Sequence, residues 1–153
     1  MRGLTFEIPN EYGQHLYNIL SAINCQQYFW LTGGEEAYYI ENGELGSPLF
    51  PRQEIWDGEA FLQRISNGTY YTIFADLKAF STEAEVKEIT IYNEFLNSAC
   101  ELAFLLVDCS YVIIYAKDSQ TTKRLHAHAT SLNYTNIGFI TDDLDARTTL
   151  KAF

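Results

Sequence analysis

The stretch Leu102-Ala103-Phe104-Leu105-Leu106-Val107-Asp108-Cys109-Ser110-Tyr111-Val112-Ile113-Ile114-Tyr115-Ala116-Lys117 decides the fold. Two apolar runs, 102–107 and 111–116, flank a short polar break. Neither reaches the roughly 18 apolar residues that a membrane-crossing helix requires. The break divides them into two strands. The pattern predicts a hairpin over 102–107 and 111–117, apolar enough on both sides to lie at the centre of a covered sheet.

Outward from this hairpin, the upstream residues read as further strands. Thr69–Ala79 is a long strand, Ser81–Glu85 turns the chain, and Val86–Tyr92 returns as a strand. Thr82 and Glu85 also have capping-box spacing for a helix, but the Ile89-Thr90-Ile91-Tyr92 run favours strand. Asn93–Ala99 reads as one or two helical turns. Asp57 is placed to cap a helix over Gly58–Ile65 that buries Phe61, Leu62 and Ile65 and ends at Asn67-Gly68. Tyr28–Thr32 and Ala37–Glu41 are strands separated by a Gly33-Gly34 turn signal, and Asn42-Gly43 marks another turn. Leu4–Ile8 is a first strand, stopped by Pro9. Asn10 is placed to cap a helix carrying Tyr12, Leu16, Ile19, Leu20 and Ile23 on one face.

Downstream, Asp118 or Ser119 caps a last helix running to about Leu132, with Leu125, Ala129 and Leu132 toward the core. Asn133 suits a left-handed helix end, and Asn136–Thr141 is a final strand. Placed beside 111–117, that strand would complete a right-handed crossover. The expected fold is α+β and spans residues 1–153 as a single domain. It is a single-layer mixed, mostly antiparallel sheet of about six to seven strands. Two main helices and one or two short helices pack mainly on one face.

Composition narrows the function classes. The chain has 153 residues, 47% of them apolar and 20% charged, which suits one folded domain. A formal charge of −10 argues against nucleic acid, whose phosphates demand a basic surface. No segment suggests membrane insertion, and the opening residues lack the apolar region of a secretion signal, so a cytoplasmic protein is expected. Cys25, Cys100 and Cys109 have no C-x-x-C spacing and read as small buried hydrophobes. No phosphate-loop, dinucleotide or zinc-protease spacing occurs. No catalytic residue, metal site or cofactor is expected.

Four groups carry candidate chemistry. Glu35, Glu36, Glu41 and Glu44 interleave with Tyr38, Tyr39 and Trp56, a combination suited to a basic protein partner: carboxylates steer the encounter and rings supply contact area. A solvated loop around ordinary core aromatics explains the same residues more plainly. The tyrosines at 38 and 39 must point to opposite sides of a strand. Lys123, Arg124 and His128 form a base-rich stretch on the last helix, fit for an anion or for self-association with an acidic face of a second copy, although an ordinary exposed helix face is the simpler account. Asp142-Asp143-Leu144-Asp145 lacks the spacing of a calcium loop and reads as a polar turn. Cys109 has no local histidine motif to activate it.

Three segments carry a resemblance: Phe6-Glu7-Ile8-Pro9-Asn10-Glu11-Tyr12-Gly13, the run from Trp30 to Tyr38, and Gly138-Phe139-Ile140-Thr141-Asp142-Asp143. With them the chain resembles a small family of uncharacterised proteins from Bacillus-type bacteria. The resemblance implies a bacterial cytosolic protein and transfers no functional residue. The leading expectation is a non-catalytic protein-binding or regulatory module using the acidic, tyrosine-rich face, with a basic protein or a homodimer as partner. The alternative is a small-molecule sensor or carrier with an aromatic-lined pocket between sheet and helices.

Overall fold

A computed structural model describes residues 1–33, 35–143, 145 and 148–152. Along these residues run β1 (Gly3–Glu7), α1 (His15–Leu20), β2 (Phe29–Thr32), β3 (Glu36–Glu41), β4 (Glu44–Pro48), β5 (Ile55–Asp57), α2 (Gly58–Ser66), β6 (Tyr70–Phe80), α3 (Tyr92–Leu96), β7 (Cys100–Val107), β8 (Tyr111–Ala116), α4 (Ser119–Ser131) and β9 (Thr135–Ile140).

The central hairpin forms where its sequence places it. Val107 faces Tyr111 and Leu102 faces Ala116 across β7 and β8. Asp108 and Cys109 make the reversal with φ of 49° and 68°. The sheet runs β4-β3-β6-β7-β8-β1-β9, with β2 on β6 and β5 on β2. Among the described residues it therefore has nine strands where six or seven were expected. Every described pairing is antiparallel, so the sheet is not mixed. The final strand lies beside β1, not β8, because β1 already occupies the edge of β8. Both are antiparallel to β1 and so parallel to each other, and β8-α4-β9 is a crossover that skips over β1. Gly3 permits that insertion: a Cβ there would sit 1.8 Å from the Ile114 carbonyl oxygen.

β6 has 11 residues, enough for two partners along one edge. β2 pairs with residues 77–80 and β3 with residues 70–74. The two short strands thus run in the same direction along β6, so the chain does not reverse between them. Thr32 faces Leu77 and Glu36 faces Phe74, so this edge spends one residue more than β6 does, as in a β-bulge. Gly34 of the expected Gly33-Gly34 turn lies outside the described residues.

Two more expectations are corrected. Val86–Tyr92 is not a strand: a 3-10 turn at Glu83–Glu85 leads into extended chain, and α3 starts at Tyr92. The Glu94 carboxylate accepts from the backbone N–H groups of Thr90 and Ile91, both at 3.2 Å, and from the Thr90 hydroxyl at 2.8 Å. That carboxylate secures the helix entry against the strand propensity of the Ile-Thr-Ile run. Asn10 caps nothing. α1 follows Gln14 without a side-chain cap, and Gly13 instead bridges Tyr70.

Local signals elsewhere do hold. Asn42 and Gly43, with φ of 54° and 79°, close the β3–β4 hairpin as a two-residue turn. Asp118 accepts from the Gln120 N–H at 2.9 Å to open α4. Asp57 Oδ1 accepts from the Ala60 N–H at 2.9 Å at the start of α2. Asp57→Ala is expected to cost about 1 kcal/mol, read as a lower urea midpoint with an unchanged slope.

α1, α2 and α4 cover one face of the sheet. Trp30 stacks on Phe61 with ring centroids 4.4 Å apart, and Phe61 stacks in turn on Phe50. Leu4, Phe6, Leu77, Phe104 and Ile114 complete this core from the strands. The opposite face is covered only in part. There Ile89, Phe95 and Leu150 bury Phe80, Ala103, Tyr115 and Ile140, so the helix cover is not confined to one side.

Candidate functional site

Strand alternation divides the predicted acidic and aromatic residues between the two faces. Tyr39 turns toward α2: its hydroxyl donates to the Arg64 carbonyl at 2.8 Å, and the Arg64 guanidinium lies 5.0 Å above its ring. Trp56 faces Trp30 across β2 and β5 and meets Phe50 edge-on at 5.9 Å. Neither joins an outward patch with Tyr38. Tyr38 lies on the other side, opposite Tyr71 of β6. Tyr12, half exposed, meets Tyr71 edge-on at 5.4 Å. The Tyr71 hydroxyl is 2.5 Å from Asn10 Oδ1 and 3.1 Å from the Cys109 sulfur.

Glu36, Glu41 and Glu44 are exposed around this end of the sheet. Glu41 Oε1 accepts from the Ser47 N–H at 3.2 Å and from its hydroxyl at 2.6 Å, which holds the carboxyl below its ordinary range. Leu45, opposite Ile40, is 49% exposed. The uncovered end of the sheet therefore carries Tyr38, Tyr71 and Tyr12 with three exposed acids near its edge, of which Glu41 is held by Ser47.

Glu35 departs from the expected surface. It is buried, with Oε1 accepting from the backbone N–H groups of Gly33 at 2.8 Å and Asp76 at 3.4 Å. Its Oε2 has no partner among the described residues. Burial pushes this carboxyl up to about 7 and the Asp76 charge adds to the rise, against the backbone donors.

Next to it lies a buried ion pair with no counterpart in the sequence reading. Asp76 and Lys78 project from β6 away from the three large helices, since the residues alternating with them, Ala75, Leu77 and Ala79, belong to the helix-side core. Lys78 Nζ donates to Asp76 Oδ1 and to the Leu150 carbonyl, the latter at 2.6 Å. The Ala152 N–H donates to Asp76 Oδ2 at 3.2 Å. A sequence signal existed: two charges at i and i+2 inside the long apolar strand 69–79. Charges in a central strand demand partners. A cavity of about 240 Å³ opens over the pair. It lies on the face away from the large helices, whereas the space between sheet and helices is filled by the stacked Trp30, Phe61 and Phe50.

The basic helix face is divided as well. Lys123 and Arg124 are exposed, but His128 Nε2 lies 2.6 Å from the Asn18 carbonyl and docks α4 on α1. Asp142 and Asp145 are tied to Arg2 at 2.6 and 3.3 Å, while Leu144 of that acidic turn lies outside the described residues. Cys25 and Cys100 are buried, each thiol pushed up to about 12 by burial. Cys109 is half-buried in its turn. Among the described residues no helix is long and apolar enough to cross a membrane.

These features define an α+β protein on one antiparallel sheet, with three helices on one face and a second face that is partly open and holds a buried ion pair. The chain belongs to the family described as "Protein of unknown function (DUF2691)", which it matches over residues 1–151. It is 42% identical over 150 residues to "Uncharacterized protein YncE" of Bacillus subtilis (strain 168), with 97% of each chain covered. The resemblance to an uncharacterised family of Bacillus-type bacteria is thereby borne out. No solved structure matches the chain.

Proposed function

We propose that this chain is a non-catalytic binding or regulatory protein that receives a basic protein partner on the uncovered end of its sheet. The observation that carries this reading is the register pair Tyr38–Tyr71 outside both cores, with Tyr12 against it and Glu36, Glu41 and Glu44 around it. Such rings supply contact area at low entropic cost, and surrounding carboxylates speed encounter with a basic surface. Strand addition at β4 is disfavoured. That edge carries Pro48, a register shift and the Glu41 side chain folded across Ser47, and each of these blunts an edge. Contact by the open face suits the geometry better.

The test is affinity capture from Bacillus subtilis lysate, comparing the natural chain with the triple variant E36Q/E41Q/E44Q and with Tyr38→Ala. The expected result is a basic protein held by the natural chain, lost by both variants and released at about 1 M salt, where the screening length falls to about 3 Å. Capture that neither variant nor salt alters counts against the proposal.

A further inference from the structure

We propose that the cavity over Lys78 binds the carboxylate of a small aliphatic acid. An ammonium group has three N–H donors and no acceptor. Lys78, only 4% exposed, spends one on Asp76 and one on the Leu150 carbonyl. Its third donor has no acceptor among the described residues, and Lys78 lines the cavity. Asp76 is an acceptor only: it takes Lys78 at Oδ1 and the Ala152 N–H at Oδ2, and its charge balances that of the lysine. What the floor of the cavity offers is therefore a donor, built into the sheet and held in place by the backbone of residues 150–152.

The walls define the rest of the ligand. Lys151 stands exposed on the lining and supplies a second positive charge. Leu31 and Ile89 give an apolar wall suited to a short hydrocarbon. Glu88, also on the lining and exposed, opposes a second negative charge. A monoanion fits this balance better than a phosphate dianion. The volume, about 240 Å³, lies below the range of roughly 300–1,000 Å³ typical of drug-sized ligands. A carboxylate of this size occurs both in amino acids and in their oxo acids. The Glu88 carboxylate favours the ammonium of the former and is indifferent to the carbonyl of the latter.

Backbone amide NMR of the full chain tests the site with isobutyrate, its neutral isostere isobutyramide, valine, 2-oxoisovalerate and inorganic phosphate. Isobutyrate is expected to shift the signals of Gly33, Lys78 and Ile89 saturably, and isobutyramide to bind at least about tenfold more weakly, having lost a charge-assisted hydrogen bond. Lys151→Gln leaves the buried pair intact and is expected to weaken isobutyrate about two- to fivefold, as for a solvent-exposed charge. Valine tighter than 2-oxoisovalerate, with the advantage removed by Glu88→Gln, assigns the site to amino acids; the reverse order assigns it to oxo acids. Equal binding of isobutyramide, tighter binding of phosphate, or no saturable shift at these three amides with any acid overturns the proposal. None of these outcomes depends on the tyrosine-bearing end of the sheet.

Discussion

Lys78→Met is expected to destabilise the fold by about 3–5 kcal/mol, the cost of leaving a buried charge without its partner. The Asp76 carboxylate would remain buried on the face away from the large helices, with the Ala152 N–H as its one remaining donor among the described residues. The Leu150 carbonyl would lose its donor as well. The effect should reach beyond β6, since residues 148–152 are held to the sheet face partly by these contacts. Leu150 N–H also donates to the Thr90 carbonyl at 2.9 Å and Tyr92 N–H to the Thr148 carbonyl at 2.7 Å, which tie the same residues to the segment that enters α3. Faster amide exchange in 148–152 should therefore accompany the lower urea midpoint. The double variant Asp76→Leu/Lys78→Met should recover part of the loss, because it removes the uncompensated charge, while the Leu150 carbonyl and the Ala152 N–H stay without their side-chain partners. A single variant within about 1 kcal/mol of the natural chain, in the range of an exposed ion pair, would show that the pair is not desolvated as described.

Glu35→Gln should change how stability depends on pH. The folded carboxyl titrates at about 7 and the ordinary value is 4.5. Below pH 4.5 both folded and unfolded chains hold this proton, so its contribution is fully present. As pH rises from 4.5 the unfolded chain releases the proton first, and folding must either retain it or bury a charge. Stability contributed at Glu35 thus falls between pH 4.5 and about 7 and is lost above it, a swing of about 3 kcal/mol. Gln keeps a carbonyl for the Gly33 and Asp76 N–H groups and cannot ionise. The variant should match the natural chain at pH 4 and exceed it by about 3 kcal/mol at pH 8. Parallel stability curves across this window would mean that Glu35 is solvated.

Features encoded within a few residues were legible in the sequence. Asp57, Asp118 and Asn42-Gly43 each act on backbone groups of their immediate neighbours, so their roles follow from residue type and position. The long-range arrangement was not legible. Nothing local places β1 between β8 and β9, or sets β2 and β3 in line along one edge of β6. The Ile-Thr-Ile-Tyr run favoured a strand until Glu94 and the distant Thr149 engaged it.

The candidate sites divide in the same way. Alternation alone puts Tyr38 and Tyr39 on opposite faces, but which face the helices cover depends on packing against α2. Glu35 looked like its exposed neighbour Glu36, yet it is buried with its carboxylate on the backbone N–H groups of Gly33 and Asp76. The partner of Lys78 at Leu150 lies 72 positions away. No spacing rule connects them, although the two charges within an apolar strand announced that partners must exist.

The proposed contact face is tested by amide hydrogen exchange on the chain alone and on the chain mixed with whatever basic protein the capture experiment yields. Slower exchange across residues 36–48 and at 70–72 is the predicted result. Slower exchange confined to Ser119–Ser131, with β3 and β4 unchanged, would contradict it.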